Sequence, residues 1–371
     1  MRIVRGTVIA YVPEVAPVLA EHERAALSGV ARRLANLLGY RVAMADERSP
    51  RTRGHRYFVP SCTLTWDTAK RLGISAPEDL FGAVVSSDYM GTKAIAHPLV
   101  SASAVAPPGW NEAFPQAVRD LVLAGYSAFA LPDALEAGTR LLADGSVRIK
   151  PVLASGGNAQ HVVQDAGSLE SVLAELDRGG ALRDGTVLEQ DIAELRTFSI
   201  GRIVAAGLEV SYYGWQRLTR NHRGDEVFGG SDLTLVPGGF DALLAAAPDD
   251  VVRTAIVQAA RFDEAAQGLL PGLMATRRNY DVLLGHDRTG ARRSAVLEQS
   301  WRVGGASGPE IAALEAFRAE PGRRRVRASC FEVYGDAPRP PPGASVYYDG
   351  NDPKVGRLMK YTVLHPHDDA S

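Results

Sequence analysis

The sequence predicts an α/β (α+β) protein assembled from several subdomains, and three observations lead there. A chain of 371 residues exceeds what one ordinary core accommodates. Its start alternates short apolar runs with an amphipathic helix, the pattern of a small parallel sheet. From Val147 onward, apolar runs carrying one or two charged residues alternate with glycine-bearing turns and a helical stretch.

In order, Thr7 to Val12 reads as a first strand, because Pro13 and Glu14 end the apolar run before a secretory h-region could form. Glu21 to Leu38 reads as a helix: Ala25, Leu27, Val30, Leu34 and Leu37 recur at three-to-four spacing and Gly39 stops it. Tyr40 to Ala45 and Tyr57 to Pro60 read as further strands, closing a first unit near Asp88. Val147 to Pro151 reads as a strand, followed by the loop Ser155-Gly156-Gly157-Asn158 and a second apolar run. Ser168 reads as the N-cap of a helix to Arg178, stopped by Gly179 and Gly180, and Thr186 to Gln190 as a short strand. Ser199 to Val204 begins a hairpin, after which the polar, aromatic and basic stretch Ser211 to Asp232 reads as an exposed loop. Arg277 to Val282 and Ala295 to Gly305 read as strands of a hairpin turned around Gly285 to Gly290, which sets Asp281 and Glu298 on neighbouring strands. A helix opens at Pro309-Glu310 with Ile311, Leu314 and Phe317 on one face, and strand-like pieces follow around Val346 and Tyr361. These elements divide the chain into 1–89, 90–185, 186–320 and a C-terminal extension, 321–371.

Composition narrows the function classes. With 46% hydrophobic and 23% charged residues the chain is globular, and a net charge of −2 gives no electrostatic case for nucleic acid. The run Gly322-Arg-Arg-Arg-Val-Arg327 reads as a solvated basic face. No apolar run approaches the ~20 residues of a membrane helix, so no membrane partner is expected. Cys62 and Cys330 show neither zinc spacing nor a disulfide framework, which favours a cytoplasmic location. A homodimer is compatible with all of this.

The chemistry concentrates around Lys150. Its neighbours Val147, Ile149 and Val152 call for burial while its ammonium calls for an anion. Ser155 to Asn158 offers backbone N–H groups with little side-chain bulk, a geometry that can cradle phosphate. The same residues also fit a β-hairpin with a glycine turn and a snorkelling lysine. The order of features favours the phosphate site: strand lysine, glycine loop, a strand ending in Glu189, then Asp281 on one strand and Glu298 with Arg302 on the next. Two carboxylates beside a phosphate site suit Mg²⁺, which binds through carboxylates and phosphates. Arg217, Arg220, Arg277 and Arg278 are candidates for an anionic substrate, since guanidinium forks match carboxylates. His97 and His161 read as hydrogen-bonded structural residues.

This order, over roughly Lys93 to Gly305, resembles the ATP-grasp superfamily of carboxylate-amine and carboxylate-thiol ligases. Across almost the whole chain the sequence also resembles a bacterial family of domains of unknown function sometimes labelled biotin-carboxylase-like. That likeness rests on Thr92-Lys-Ala-Ile-Ala-His-Pro-Leu99, Tyr212-Tyr-Gly, Gln216-Arg-Leu-Thr-Arg220, Gly229-Gly-Ser-Asp232 and Leu297-Glu-Gln-Ser-Trp-Arg302. The resemblance implies an ATP-grasp fold: a small α/β domain ahead of a smaller lobe, 90–185, and a larger one, 186–320, which clasp ATP between them. It implies that Lys93 and Lys150 hold the phosphates and that Ser155, Gly156, Gly157 and Asn158 fold over them. Glu189 is then the hinge acid near adenine and ribose, with the main chain of Gln190 to Ile192 on the adenine edge. Asp281, Glu298 and Ser300 are the implied Mg²⁺ ligands, Ser300 replacing a customary amide, and Arg302 and Arg278 the implied catalytic cations. The implied activity is activation of a small carboxylate as an acyl phosphate for capture by an amine or other nucleophile. Two alternatives stand beside it: activation of bicarbonate, as in biotin carboxylase, and a regulatory protein that binds ATP without turnover.

Overall fold

A computed structural model describes residues 6–14, 18–45, 54–154, 159–336 and 339–366, without the side chains of residues 194 and 195. The expected opening unit is present. Strand Gly6–Tyr11 lies between Arg41–Ala45 and His55–Pro60, parallel to both. Helix Glu21–Leu38 packs Leu27, Val30, Ala31 and Leu34 against Val8, Ala10, Tyr57 and Val59 of that sheet. It ends at Gly39, whose φ of 69° is the left-handed conformation that costs glycine least.

A four-stranded antiparallel sheet forms the smaller lobe, in the order Gly125–Ala128, Thr186–Gln190, Val147–Pro151, His161–Val163. Helices Leu131–Leu142 and Ala166–Arg178 cover its apolar face through Ala134, Leu141, Leu169 and Leu173, which meet Val147, Ile149 and Leu188. Alternation along the strand then sends Arg148 and Lys150 to the opposite face. The cap of the second helix differs from expectation. Asp165 accepts from Ser168 N at 2.9 Å, so the helix starts at Ala166 and Ser168 lies inside its first turn.

The largest sheet has eight strands. In spatial order they are Arg292–Ser300, Arg277–His286, Ala193–Ala205, Leu208–Arg220, Glu226–Pro237, Val326–Tyr334, Gly356–Leu364 and Ser345–Asp352. Helix Asp250–Leu269 covers one face with Ile256, Ala259 and Phe262 on Phe198, Ile200 and Tyr280. Helix Ser307–Ala319 joins the opposite core, where Ile311, Leu314 and Phe317 meet Ile203, Tyr212 and Leu235. Much of Ser211 to Asp232, expected as an exposed loop, is instead a long antiparallel hairpin, Leu208–Arg220 with Glu226–Pro237. Several of its polar residues, Tyr212, Gln216 and Arg217 among them, bond to sheet neighbours, while those at the turn, such as His222 and Arg223, are exposed. The strands beyond residue 321 extend this same sheet and reach helix Glu21–Leu38, where Arg33 donates to Tyr347 Oη at 2.6 Å. Among the described residues, no helix is long and apolar enough to cross a membrane. Cys62 and Cys330 are free.

Candidate active site

A cleft of about 1580 Å³ runs between the lobes, and Lys93, Lys150, Glu189, Asp281, Glu298 and Arg302 all line it. Each arrives on a different piece of structure. Lys93 opens a short 3-10 turn, Lys93–Ala96, and is 6% exposed; its ammonium donates to Ala154 O at 3.0 Å and lies 2.7 Å from Glu298 Oε2. Lys150 pairs with Glu189 on the neighbouring strand, where Val187 is its register partner. The other Glu189 oxygen is 3.4 Å from His97 Nε2, and both residues are 1% exposed. The Glu189 carboxylate therefore turns into the lobe towards Lys150 and His97. Burial is the largest effect on that carboxyl and acts upward. Lys150 and His97 outweigh it and hold the group at about 2. His97 is thus a buried partner of Glu189.

The expected hairpin brings the acids together. Arg277–His286 pairs antiparallel with Arg292–Ser300, and Asp281 and Glu298 are direct cross-strand partners, followed at once by a bulge. Burial, and next the charge on Glu298, raise Asp281 from 3.8 to about 6. Glu298 feels burial most, in the upward direction, but Lys93 leads a set of cations, Lys150 and Arg302 among them, that brings it down overall. Two carboxylates repelling each other in this way form a place for a divalent cation. Among the described residues no three His, Cys, Asp or Glu side chains gather as a metal group. Asp281 and Glu298, with neutral oxygens beside them, could hold Mg²⁺, an ion that retains waters and shares phosphates. Ser300 lines the cleft beside them, its Oγ 3.4 Å from Arg277 Nη1.

The arginines divide by strand parity. Arg277, Asn279 and Asp281 share the cleft face of their strand, whereas Arg278 and Tyr280 face helix Asp250–Leu269. Arg278 donates to Asp263 Oδ2 at 3.0 Å and is 6% exposed, so its expected catalytic place is corrected to a buried ion pair behind the sheet. Arg277 reaches the cleft wall, but its guanidinium is held by Glu310 Oε2 at 3.0 Å and by the carbonyls of Ser300 and Arg302. It braces the wall rather than offering a free cation. Arg217 is likewise diverted, stacking over Phe331 at 4.2 Å and bonding Asp232 and the Cys330 carbonyl. Arg220 caps its own turn through Gly224 O at 3.0 Å, and neither Arg217 nor Arg220 lines the cleft. Arg302 does line it, with one donor on Val303 O at 2.9 Å. Gln190 and Ile192 also line the cleft, and Leu123, Ile192, Leu283 and Leu297, which line it too, form an apolar cluster. Ser155, Gly156, Gly157 and Asn158 lie outside the described residues.

Three residues of this region were not anticipated in these roles. Asn279 donates to Asp281 Oδ1 at 2.9 Å, Tyr212 Oη meets Asn279 Oδ1 at 2.9 Å, and Tyr212 donates to Glu310 Oε1 at 2.6 Å. Asn279 was legible in principle, because it sits two residues before Asp281 on a strand. Tyr212 stands in a stretch that carries the family likeness and Glu310 at an expected helix start, but nothing local in either pointed to this contact.

Over residues 11–362 the sequence matches the family described as Protein of unknown function (DUF3182). No curated protein matches. Among solved structures, biotin carboxylase from Campylobacter jejuni, solved as a β,γ-ATP complex, is similar at 12% identity with a TM-score of 0.53. That likeness covers 98% of this chain and 87% of that one. The biotin carboxylase domain of 2-oxoglutarate carboxylase from Hydrogenobacter thermophilus, solved with MgADP, ADP and bicarbonate, is similar at 13% identity with a TM-score of 0.53, covering 99% of this chain and 87% of that one. At such identities the likeness establishes the architecture, which is the ATP-grasp fold.

Proposed function

We propose that this chain, which belongs to the DUF3182 family, is an ATP- and Mg²⁺-dependent ligase that activates a small carboxylate for capture by an amine or other nucleophile. One observation carries the reading. Two buried lysines from the smaller-lobe side, Lys93 and Lys150, converge on the same cleft as the cross-strand pair Asp281 and Glu298. Cations for phosphate and carboxylates for a metal are the two halves of a nucleoside triphosphate site.

In this reading the four-stranded sheet of the smaller lobe, Thr186–Gln190 included, and the eight-stranded sheet clasp the nucleotide. The apolar wall of Leu123, Ile192, Leu283 and Leu297 takes the adenine, and the main chain of Gln190 to Ile192 offers it polar groups. Lys93 and Lys150 hold phosphate oxygens, and Glu189, itself beside His97, holds Lys150 at the cleft wall. Asp281 and Glu298, with Ser300 beside them, hold Mg²⁺, which when bound neutralises charge on the phosphates. The substrate carboxylate attacks the γ-phosphorus and ADP leaves; the nucleophile then attacks the acyl carbon and phosphate leaves. Arg302 steadies the anionic substrate and the charge that develops on it.

The reading predicts that millimolar ATP–Mg²⁺ raises the melting temperature, since binding to the folded state at a hundredfold excess over Kd contributes ~2.7 kcal/mol. Lys150→Ala should abolish the rise, and no rise in the parent protein sinks the proposal. Phosphate release from ATP, measured across carboxylates and amines and with bicarbonate in place of an organic acid, then separates a ligase from a protein that only binds nucleotide.

A further inference from the structure

Behind the cleft lies a buried polar chain that nucleotide contact does not require. Arg277 and Glu310 are 1% and 0% exposed and form a fork of hydrogen bonds, with Nε on Oε2 at 3.0 Å and Nη2 on Oε1 at 2.9 Å. Arg277 Nη1 also donates to Ser300 O at 2.9 Å and to Arg302 O. On its other side the single Tyr212 hydroxyl proton is shared between Glu310 Oε1 at 2.6 Å and Asn279 Oδ1 at 2.9 Å, and Asn279 Nδ2 donates to Asp281 Oδ1. One path thus joins the main chain at Arg302 to one oxygen of Asp281, a carboxylate that Gln216 also reaches.

Stability alone does not account for this path. Removing a guanidinium and a carboxylate from water is expensive, and apolar residues of similar volume commonly hold a core as well or better. The backbone has also been adapted to the path. Gly201 is the cross-strand partner of Tyr212, and a Cβ there would lie 2.2 Å from Tyr212 Cζ. The tyrosine ring lies across a glycine, and its hydroxyl consequently reaches both Glu310 and Asn279.

We propose that Tyr212 and Glu310 are a positioning couple that sets the Asp281 carboxylate and the Ser300–Arg302 segment in register with each other. This rests on the ligase reading for what the cleft binds, but the coupling is a property of the chain itself. Glu310 fixes Arg277, Arg277 fixes the carbonyls of Ser300 and Arg302, and Tyr212 fixes Asn279 and through it Asp281. Cutting the path at Tyr212 separates the metal side of the cleft from the arginine side while leaving both in place.

Tyr212→Phe makes that cut and keeps the ring on Gly201. Crystal structures of parent and variant, together with calorimetric titration of ATP with and without Mg²⁺, give the readout. In the variant the Asn279–Asp281 hydrogen bond should be lost. ATP affinity without metal should stay close to that of the parent, while the gain conferred by Mg²⁺ should fall about fivefold, the effect of one net hydrogen bond. Retention of the Asn279–Asp281 contact overturns the proposal, and so does an equal fall in affinity with and without Mg²⁺, which a merely structural role would produce. If the parent binds no ATP, the ligase reading fails and the crystal comparison alone decides the couple. Glu310→Gln supplies a second cut: the Ser300–Arg302 segment should shift relative to Asp281, and an unmoved segment counts against the couple.

Discussion

Asp281→Asn should make the nucleotide-free protein more stable while removing its response to ATP–Mg²⁺. In the folded chain, burial and then Glu298 raise the Asp281 carboxyl from 3.8 to about 6. A carboxyl whose folded value lies above its unfolded one opposes folding. The penalty is absent below pH 3.8, grows between pH 3.8 and about 6, and is complete above. Each step of one in pKa corresponds to ~1.4 kcal/mol, so the full penalty is at most ~3 kcal/mol. Glu298 carries part of the same repulsion, which brings the expectation to ~1–3 kcal/mol. An unfolding entropy of ~2.1 cal/mol/K per residue gives this chain roughly 0.8 kcal/mol per kelvin, so the melting temperature should rise by ~1–4 °C. An amide in place of the carboxylate still accepts from Asn279, so the local geometry survives. Melting curves at pH 8 and pH 4, each with and without ATP–Mg²⁺, provide the assay. The variant should melt higher than the parent at pH 8 and together with it at pH 4, and should gain far less from ATP–Mg²⁺. A lower melting point at pH 8, or an equal rise at both pH values, would refute the reasoning.

Other expectations follow from the buried pairs. Glu189→Gln leaves Lys150 with its charge uncompensated in the lobe and should cost ~3–5 kcal/mol in urea unfolding at pH 7. Because Glu189 is held at about 2, its stabilisation is complete above pH 4.5 and lost as pH falls through about 2, so parent and variant should converge in acid. Arg278→Met strands Asp263 behind the sheet and should cost stability of similar size, yet ATP–Mg²⁺ affinity should hold; a selective loss of affinity would return Arg278 to the cleft. Arg302→Ala should lower turnover by ~10²–10³, as loss of a charge-stabilising donor does, with ATP binding nearly unchanged. Parallel losses in binding and turnover would instead mark Arg302 as a nucleotide contact.

Much of the architecture was legible because its signals are local. The three-to-four spacing from Ala25 to Leu38 and the stop at Gly39 define helix Glu21–Leu38 without reference to anything distant. The turn between His286 and Arg292 brings the two strands together, and a bulge after Asp281 shifts the register so that Glu298, rather than Leu297, lies opposite it. The parity that separates Arg278 from Asp281 was also in the sequence: three residues along a strand is an odd step, so the two cannot share a face, whereas Arg277, four away, can.

What remained was decided by groups far apart in the chain. Ser211 to Asp232 reads as a loop because it is polar on both strand faces, yet it forms sheet. Its polar atoms find partners at distant positions: Tyr212 at Asn279 and Glu310, and Arg217 at Cys330. Glu189 resembled a ligand-facing acid by its place in the motif. Only the fold shows Lys150 and His97 packed against its carboxylate and water excluded, which spends that charge inside the protein. The sequence by itself placed Lys150, Glu189, Asp281 and Glu298 on strands and brought the last two onto neighbouring strands of one hairpin. The tertiary structure decided which charges remain available to a ligand, because a buried charge is committed to whichever opposite charge the fold brings beside it.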